Sequence, residues 1–232
     1  TNTTEYATVA ATLWAVGENV EIWVDNDVAV DWDQDCDGTV DVPAATDAFG
    51  FDNCDLADVA DIIDTNIIPN VRTLYGDESD VNGDGRVSVV ITPELNAITQ
   101  TSSDDADHSR VLASYAEPAV DLADWHYQEN PGSTEQELRY VFAPDPYGFF
   151  NEYADPTTVE AFTGYQLAAE VARSFTALVS YNQHYLLQEE GAVEDEWVND
   201  VLGTFAADYC GFGAAYHQDA WDYMDAPHRF PL

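Results

Sequence analysis

A chain of 232 residues can bury a sizeable core as one large domain or two small ones, and 46% apolar residues is a globular composition rather than a disordered one. Asp and Glu number 45 against 6 Lys plus Arg, a formal net charge of -39, and every basic residue is an arginine. This charge excludes partners with a phosphate backbone and direct binding to an anionic membrane, because both require cations that displace counterions.

The same charge repels itself, so salt or divalent cations have to relieve it. Asp in excess over Glu and the missing lysine suit a salt-adapted organism, and folding is expected to depend on salt or divalent ions. No apolar run approaches the about 18 residues of a membrane span. The chain opens at Thr1, which fits a mature product that has lost a leader; the expected location is extracellular or on the cell surface. Cys36 and Cys54 lie in one loop-rich stretch and are expected to form a local disulfide, with Cys210 left as a buried thiol at a helix end.

In chain order, Thr8 to Val16 and Asn19 to Val24 read as strands around Gly17. Val20, Ile22 and Val24 alternate with Glu21 and Trp23. An acidic loop follows to Asn53. Asp55 then reads as the cap of a helix with Leu56, Val59, Ile63 and Ile67 at helical spacing, ending near Pro69. Arg86 to Thr92, Arg110 to Tyr115 and Leu138 to Phe142 read as strands. Thr157 to Leu187 reads as a buried helix with Leu167, Val171, Phe175 and Leu178 on one stripe and small residues elsewhere. Glu194 to Tyr209 reads as a second buried helix, with Trp197, Val201, Phe205 and Tyr209; Ala214 to Tyr223 reads as a third. The class is α+β, with an N-terminal sheet and buried C-terminal helices. The expected division is a β-rich subdomain over 1–150 with acidic calcium-type loops, and a helical subdomain over 151–232.

Asp33-Gln34-Asp35-Cys36-Asp37-Gly38-Thr39-Val40-Asp41 places acids at positions one, three, five and nine of a loop, with glycine at the sixth. Alternate carboxylates converge, glycine permits the turn, and calcium takes six to eight oxygens. The expected ligands are Asp33, Asp35, Asp37, the Thr39 carbonyl and Asp41. Ala44 stands where an EF-hand needs a glutamate, so this is not an EF-hand. A second candidate, Asp80, Asn82 and Asp84, precedes the strand from Arg86; a tight turn explains those residues equally well.

The histidines form no i, i+4 pair, and no nucleotide-binding or serine-hydrolase motif occurs. The handles for an active hydrolase are His184 with Glu189 and Glu190, or Cys210 with His217.

Several segments together resemble the hyicolysin family of secreted zinc metallopeptidases. They are Val16-Gly17-Glu18-Asn19, Ile22-Trp23-Val24, Ile67-Ile68-Pro69, Tyr75-Gly76, Asp80 to Val87, Ser180-Tyr181-Asn182-Gln183, Glu196-Trp197-Val198-Asn199-Asp200 and Gly211-Phe212-Gly213. The resemblance implies a zincin-like fold in which a buried helix carries H-E-F-x-H and a facing helix supplies a third, acidic zinc ligand. Carried over from Tyr181-Asn182-Gln183, those helix positions are Arg173, Ser174, Phe175, Thr176 and Ala177. Arg173 and Ala177 then replace the two histidines, Ser174 the general base, and Asp200 lies near the third ligand. A guanidinium cannot ligate zinc, so zinc is not expected, and Arg173 needs a carboxylate partner, Asp200 or Glu170.

Taken together, the sequence points to an exported, catalytically inactive zincin-like domain that serves as a structural or binding module of a cell-surface or extracellular assembly. Calcium is its structural ion, and protein partners or self-assembly are its mode of action. The alternative is an active secreted hydrolase or metallopeptidase with a non-standard site.

Overall fold

The computed structural model describes residues 8–98, 114–115, 133–152, 156–188 and 192–215. Strands β1 (Ala11–Val16) and β2 (Val20–Asp25) form an antiparallel hairpin with an irregularity between Leu13 and Ala15. Its turn is held from outside. Asp64 accepts the N–H groups of Glu18 (2.5 Å) and Asn19 (2.8 Å). A side chain at Gly17 would collide with the Asp64 carboxylate, so the turn must be glycine.

Strand β2 pairs in parallel with β3 (Val87–Ile91), and β3 in parallel with β5 (Leu138–Val141). The two-residue β4 (Ser114–Tyr115) runs antiparallel to β5, giving the order β1-β2-β3-β5-β4. All five residues of β3 are buried, as expected of an inner parallel strand. Of the expected strand Arg110 to Tyr115, only Ser114 and Tyr115 fall within the described residues.

Helix α1 (Asn53–Ile62) begins at Asp52, which accepts the N–H groups of Cys54 and Asp55. Asp55 is therefore not the cap itself but its reciprocal partner, returning a bond to the Asp52 N–H. The helix does not stop near Pro69. It passes through a π-helical turn (Ile63–Ile67) into α2 (Ile68–Tyr75), with the proline in the first turn of α2. Pro69 has no N–H to give to the helical turn before it, and the π turn is where the ladder changes step to admit it.

After the short helix α3 (Pro93–Ile98) and β5, the expected long helix comes in pieces: one turn, α4 (Val159–Ala161), a π turn (Phe162–Gln166), α5 (Leu167–Tyr181) and a second π turn (Asn182–Leu186). Leu167, Val171, Phe175 and Leu178 are all buried. They join β2, β3 and α1 in one core cluster that draws on residues from Ala15 to Cys210. The fold is α+β, with helices packed on a mixed sheet.

Helix α6 (Glu196–Tyr209) packs on α5, but not with the expected face. Trp197, Val201, Phe205 and Tyr209 are 67%, 60%, 52% and 51% exposed. The buried side is the small one: Gly203, Ala206, Ala207 and, just past the helix, Cys210. The physical reason is the close approach of the helices. A Cβ on Gly203 would lie 2.7 Å from the Arg173 carbonyl oxygen, a separation that aromatic side chains could not share. Beyond it, a 3-10 turn covers Gly213–Ala215, and the rest of the expected third helix lies outside the described residues.

Candidate functional site

Two groups of polar side chains stand out, one on the α5–α6 interface and one in the acidic loops. At the interface, Arg173 leaves α5 towards solvent and bridges two carboxylates. One Nη nitrogen lies 3.3 Å from Asp200 of α6, and the other lies 3.8 Å from Glu170, one turn earlier on α5. Both partners anticipated for Arg173 are in place. Glu170 is buried, and its Oε2 also accepts a 2.6 Å bond from the Ser114 hydroxyl on β4. This ties the short β4 strand to α5. Ser174 is buried, with its hydroxyl turned back to the Val171 carbonyl at 3.4 Å. The positions that the resemblance assigns to zinc ligands thus hold a guanidinium between carboxylates.

Of the other handles, only His184 and Cys210 fall within the described residues. His184 pairs through Nδ1 with Glu194 at 3.0 Å, while Glu189 and Glu190 lie outside the described residues. Cys210 is a buried thiol whose pKa burial pushes up to about 11; His217 lies outside the described residues. A nucleophilic cysteine needs its pKa lowered, so burial here works against thiolate chemistry.

The loop from Asp33 to Asp41 is closed by a pair of bonds between Trp32 and Val42, both 2.9 Å. The first residue of α1 pins it from the side: Asn53 Oδ1 accepts the Asp33 N–H (2.7 Å) and its Nδ2 donates to the Asp33 carbonyl (3.0 Å). The Cys36–Cys54 disulfide makes a second tie to α1, with Cα atoms 5.7 Å apart. Inside the loop, Asp33 is 1% exposed and accepts the N–H groups of Asp35 (3.2 Å), Cys36 (2.8 Å) and Gly38 (3.0 Å). Burial pushes its carboxyl up, but backbone N–H groups outweigh that and hold it below the usual carboxylate range.

One oxygen each from Asp33, Asp35 and Asp37 lies within 4.8 Å of the others. These are hard oxygen donors, which suit a hard cation. Asp41 is not in that group; its Oδ2 accepts the Gln34 N–H at 2.8 Å. The Thr39 N–H is bonded to Asp37 Oδ1 at 2.8 Å.

The second loop repeats this hydrogen-bond pattern. The Gly85 N–H donates to Asp80 Oδ1 (3.0 Å), as the Gly38 N–H does to Asp33, and the Arg86 N–H donates to Asp84 Oδ1 (2.8 Å), as that of Thr39 does to Asp37. Gly38 and Gly85 both have positive φ, 83° and 69°. Asn82 differs from Asp35 in donating its Nδ2 to Asp84 Oδ2 (2.7 Å). The buried Glu137, at the foot of β5, holds this loop by accepting from the Ser79 hydroxyl and the Val81 N–H, both at 2.8 Å. Beside it an open pocket of about 170 Å³ is lined by Arg72, Glu78, Asp80 and Arg86, among others. Neither Asn53 nor Glu137 could be read from the sequence, because their roles depend on which backbone atoms the fold delivers to them.

No family model matches this chain, and no curated protein matches it.

Proposed function

We propose that the chain is an exported, catalytically inactive domain, related in fold to the zinc metallopeptidases it resembles, that serves as a structural or binding module of a cell-surface or extracellular assembly. The observation that carries this reading is Arg173. It lies between Glu170 and Asp200 on two facing helices, where the resemblance calls for a metal ion. An arginine has no lone pair to offer zinc and stays protonated at any ordinary pH. It supplies the positive charge between the carboxylates directly, so the helices stay joined without a metal. The buried, high-pKa thiol of Cys210 and the pairing of His184 with Glu194 weigh against the hydrolase alternative.

The disulfide supports an oxidising location. No helix among the described residues is long and apolar enough to cross a membrane. Calcium at Asp33, Asp35 and Asp37 is part of the same reading: bound there, it would neutralise clustered carboxylates and order a loop with little apolar surface to bury.

The experiment is metal analysis after equilibration with zinc, alongside cleavage of a generic protein substrate with and without chelator. No stoichiometric zinc and no chelator-sensitive cleavage are expected. Bound zinc together with such cleavage would overturn the reading.

A further inference from the structure

We infer that Glu137 completes a second cation site with Asp80, Asn82 and Asp84, one that takes a hard divalent ion of the calcium type. The loop that carries those three residues runs straight into β3, and Glu137 directly precedes β5. The two strands are parallel neighbours, with Ser88 opposite Leu138, so what precedes each of them arrives at the same edge of the sheet. The Ser88 N–H fixes the Glu137 backbone there by donating to its carbonyl at 2.8 Å. The Glu137 side chain is 1% exposed. Its Oε1 accepts the Ser79 hydroxyl and the Val81 N–H, which belong to the two sequence neighbours of Asp80. The carboxylate is thus docked against the first residue of the loop.

The other oxygen carries the inference. Glu137 Oε2 is buried and has no hydrogen-bond partner among the described residues. A carboxylate oxygen taken out of water is costly to leave without a partner. The two arginines beside the loop are committed elsewhere: Arg72 bonds Glu78 and Asn19, and the Arg86 Nε donates to the Gly17 carbonyl. A bound cation supplies what Oε2 lacks. Asn82 Oδ1 accepts the Asp84 N–H at 3.1 Å and keeps a second lone pair. Asp84 Oδ2 takes an amide proton of Asn82, a contact that the cation replaces. With one oxygen from Asp80 and Oε2 of Glu137, four side-chain oxygens converge. The open pocket beside Asp80 admits water to the remaining positions of a six- to eight-oxygen shell. Ile91 stands at the twelfth position of this loop, where an EF-hand has its glutamate. Here the neighbouring strand brings the glutamate instead. In the Asp33 loop three carboxylate oxygens already lie within 4.8 Å of one another. The second site has to draw loop and strand together, so it fills at a higher calcium concentration.

The test is a calorimetric titration of the full chain with calcium chloride at about 0.15 M salt. Glu137→Gln keeps the size of the side chain and an acceptor for Ser79 and Val81, and removes only the charge at Oε2. A calcium-binding step is expected that Glu137→Gln weakens at least tenfold and that Asp37→Asn, in the first loop, leaves unchanged. Should Glu137→Gln misfold, Asp84→Asn at an exposed position is expected to weaken the same step. A step that neither substitution weakens, or no step beyond the one that Asp37→Asn removes, overturns the inference, and Glu137 is then a structural anchor alone. The inactive-domain reading stands or falls separately: zinc uptake with chelator-sensitive cleavage sinks it and leaves calcium binding at Glu137 untouched.

Discussion

Arg173 and Asp200 meet at 3.3 Å across the α5–α6 interface, and the same guanidinium reaches Glu170, which is buried, at 3.8 Å. The two contacts differ in weight. Asp200 is more than half exposed, so water already screens its pair, and Asp200→Asn should cost less than about 1 kcal/mol. Arg173→Met takes a charge partner from the buried Glu170 and should cost about 1–3 kcal/mol, some 2–10 °C in melting temperature. Thermal melts of the two variants check the order; a larger loss for Asp200→Asn would show that the buried contact is not the important one.

Gly203 sets the spacing of the same helices. Alanine favours a helix by about 1 kcal/mol over glycine, yet here its Cβ would lie 2.7 Å from the Arg173 carbonyl oxygen, a backbone atom that cannot step aside. Gly203→Ala should therefore destabilise by about 1–3 kcal/mol. An unchanged or raised melting temperature would mean that the helices part easily.

Reducing the Cys36–Cys54 bridge, or replacing both cysteines by serine, opens a link that spans 18 residues of sequence. The chain-entropy model gives about 3 kcal/mol for a loop of this size, or roughly 6–12 °C in melting temperature. Calorimetry with and without reductant measures it.

Calcium should raise the melting temperature of the wild-type protein, by about 2.7 kcal/mol of stability at a free concentration 100-fold above the dissociation constant. Asp33→Asn with Asp37→Asn should remove this contribution. The Asp33 carboxyl is held below its ordinary range, so its contribution is present above about pH 4 and is lost as pH falls through the lowered value. A wild-type melt that ignores calcium, or a double variant that keeps the full response, would rule the site out.

Burial raises the Cys210 thiol to about 11. The folded state holds its proton more tightly than the unfolded state, so the thiol's contribution is whole below about pH 9 and is lost as pH rises towards 11. Iodoacetamide should modify Cys210 slowly at pH 8 in the native protein and rapidly in urea. Equal rates would show the thiol to be accessible.

The strands were legible because alternation such as Val20, Ile22 and Val24 survives in the sequence, and the stripe Leu167, Val171, Phe175, Leu178 named the inward face of α5. The disulfide was legible from proximity alone. The outward turn of Trp197 and Phe205 was not, because periodicity marks a stripe without saying which side meets the core. The small stripe of Gly203, Ala206 and Ala207 is just as periodic, and close packing against Arg173 decided between them. Arg139 read as an ordinary strand residue, yet it is fully buried, a fact set by its neighbours in space. At the acidic loop, spacing brought out Asp33, Asp35 and Asp37, while Asp41 turned instead to the Gln34 N–H across the loop.

Helix α5 is bracketed by two π turns, Phe162–Gln166 and Asn182–Leu186. Each holds one residue more than an α ladder needs, and a single residue turns a helical face by about 100°. The helix between them therefore has its own phase, set independently of the segments spliced to either end. A residue deleted from either turn restores an ordinary ladder there and leaves the core stripe where it was. A residue deleted from the stretch between Leu167 and Arg173 instead swings that stripe out of register with Arg173 and Asp200. Tolerance to changes in length is thus confined to the two joints, and the lever between them is fixed.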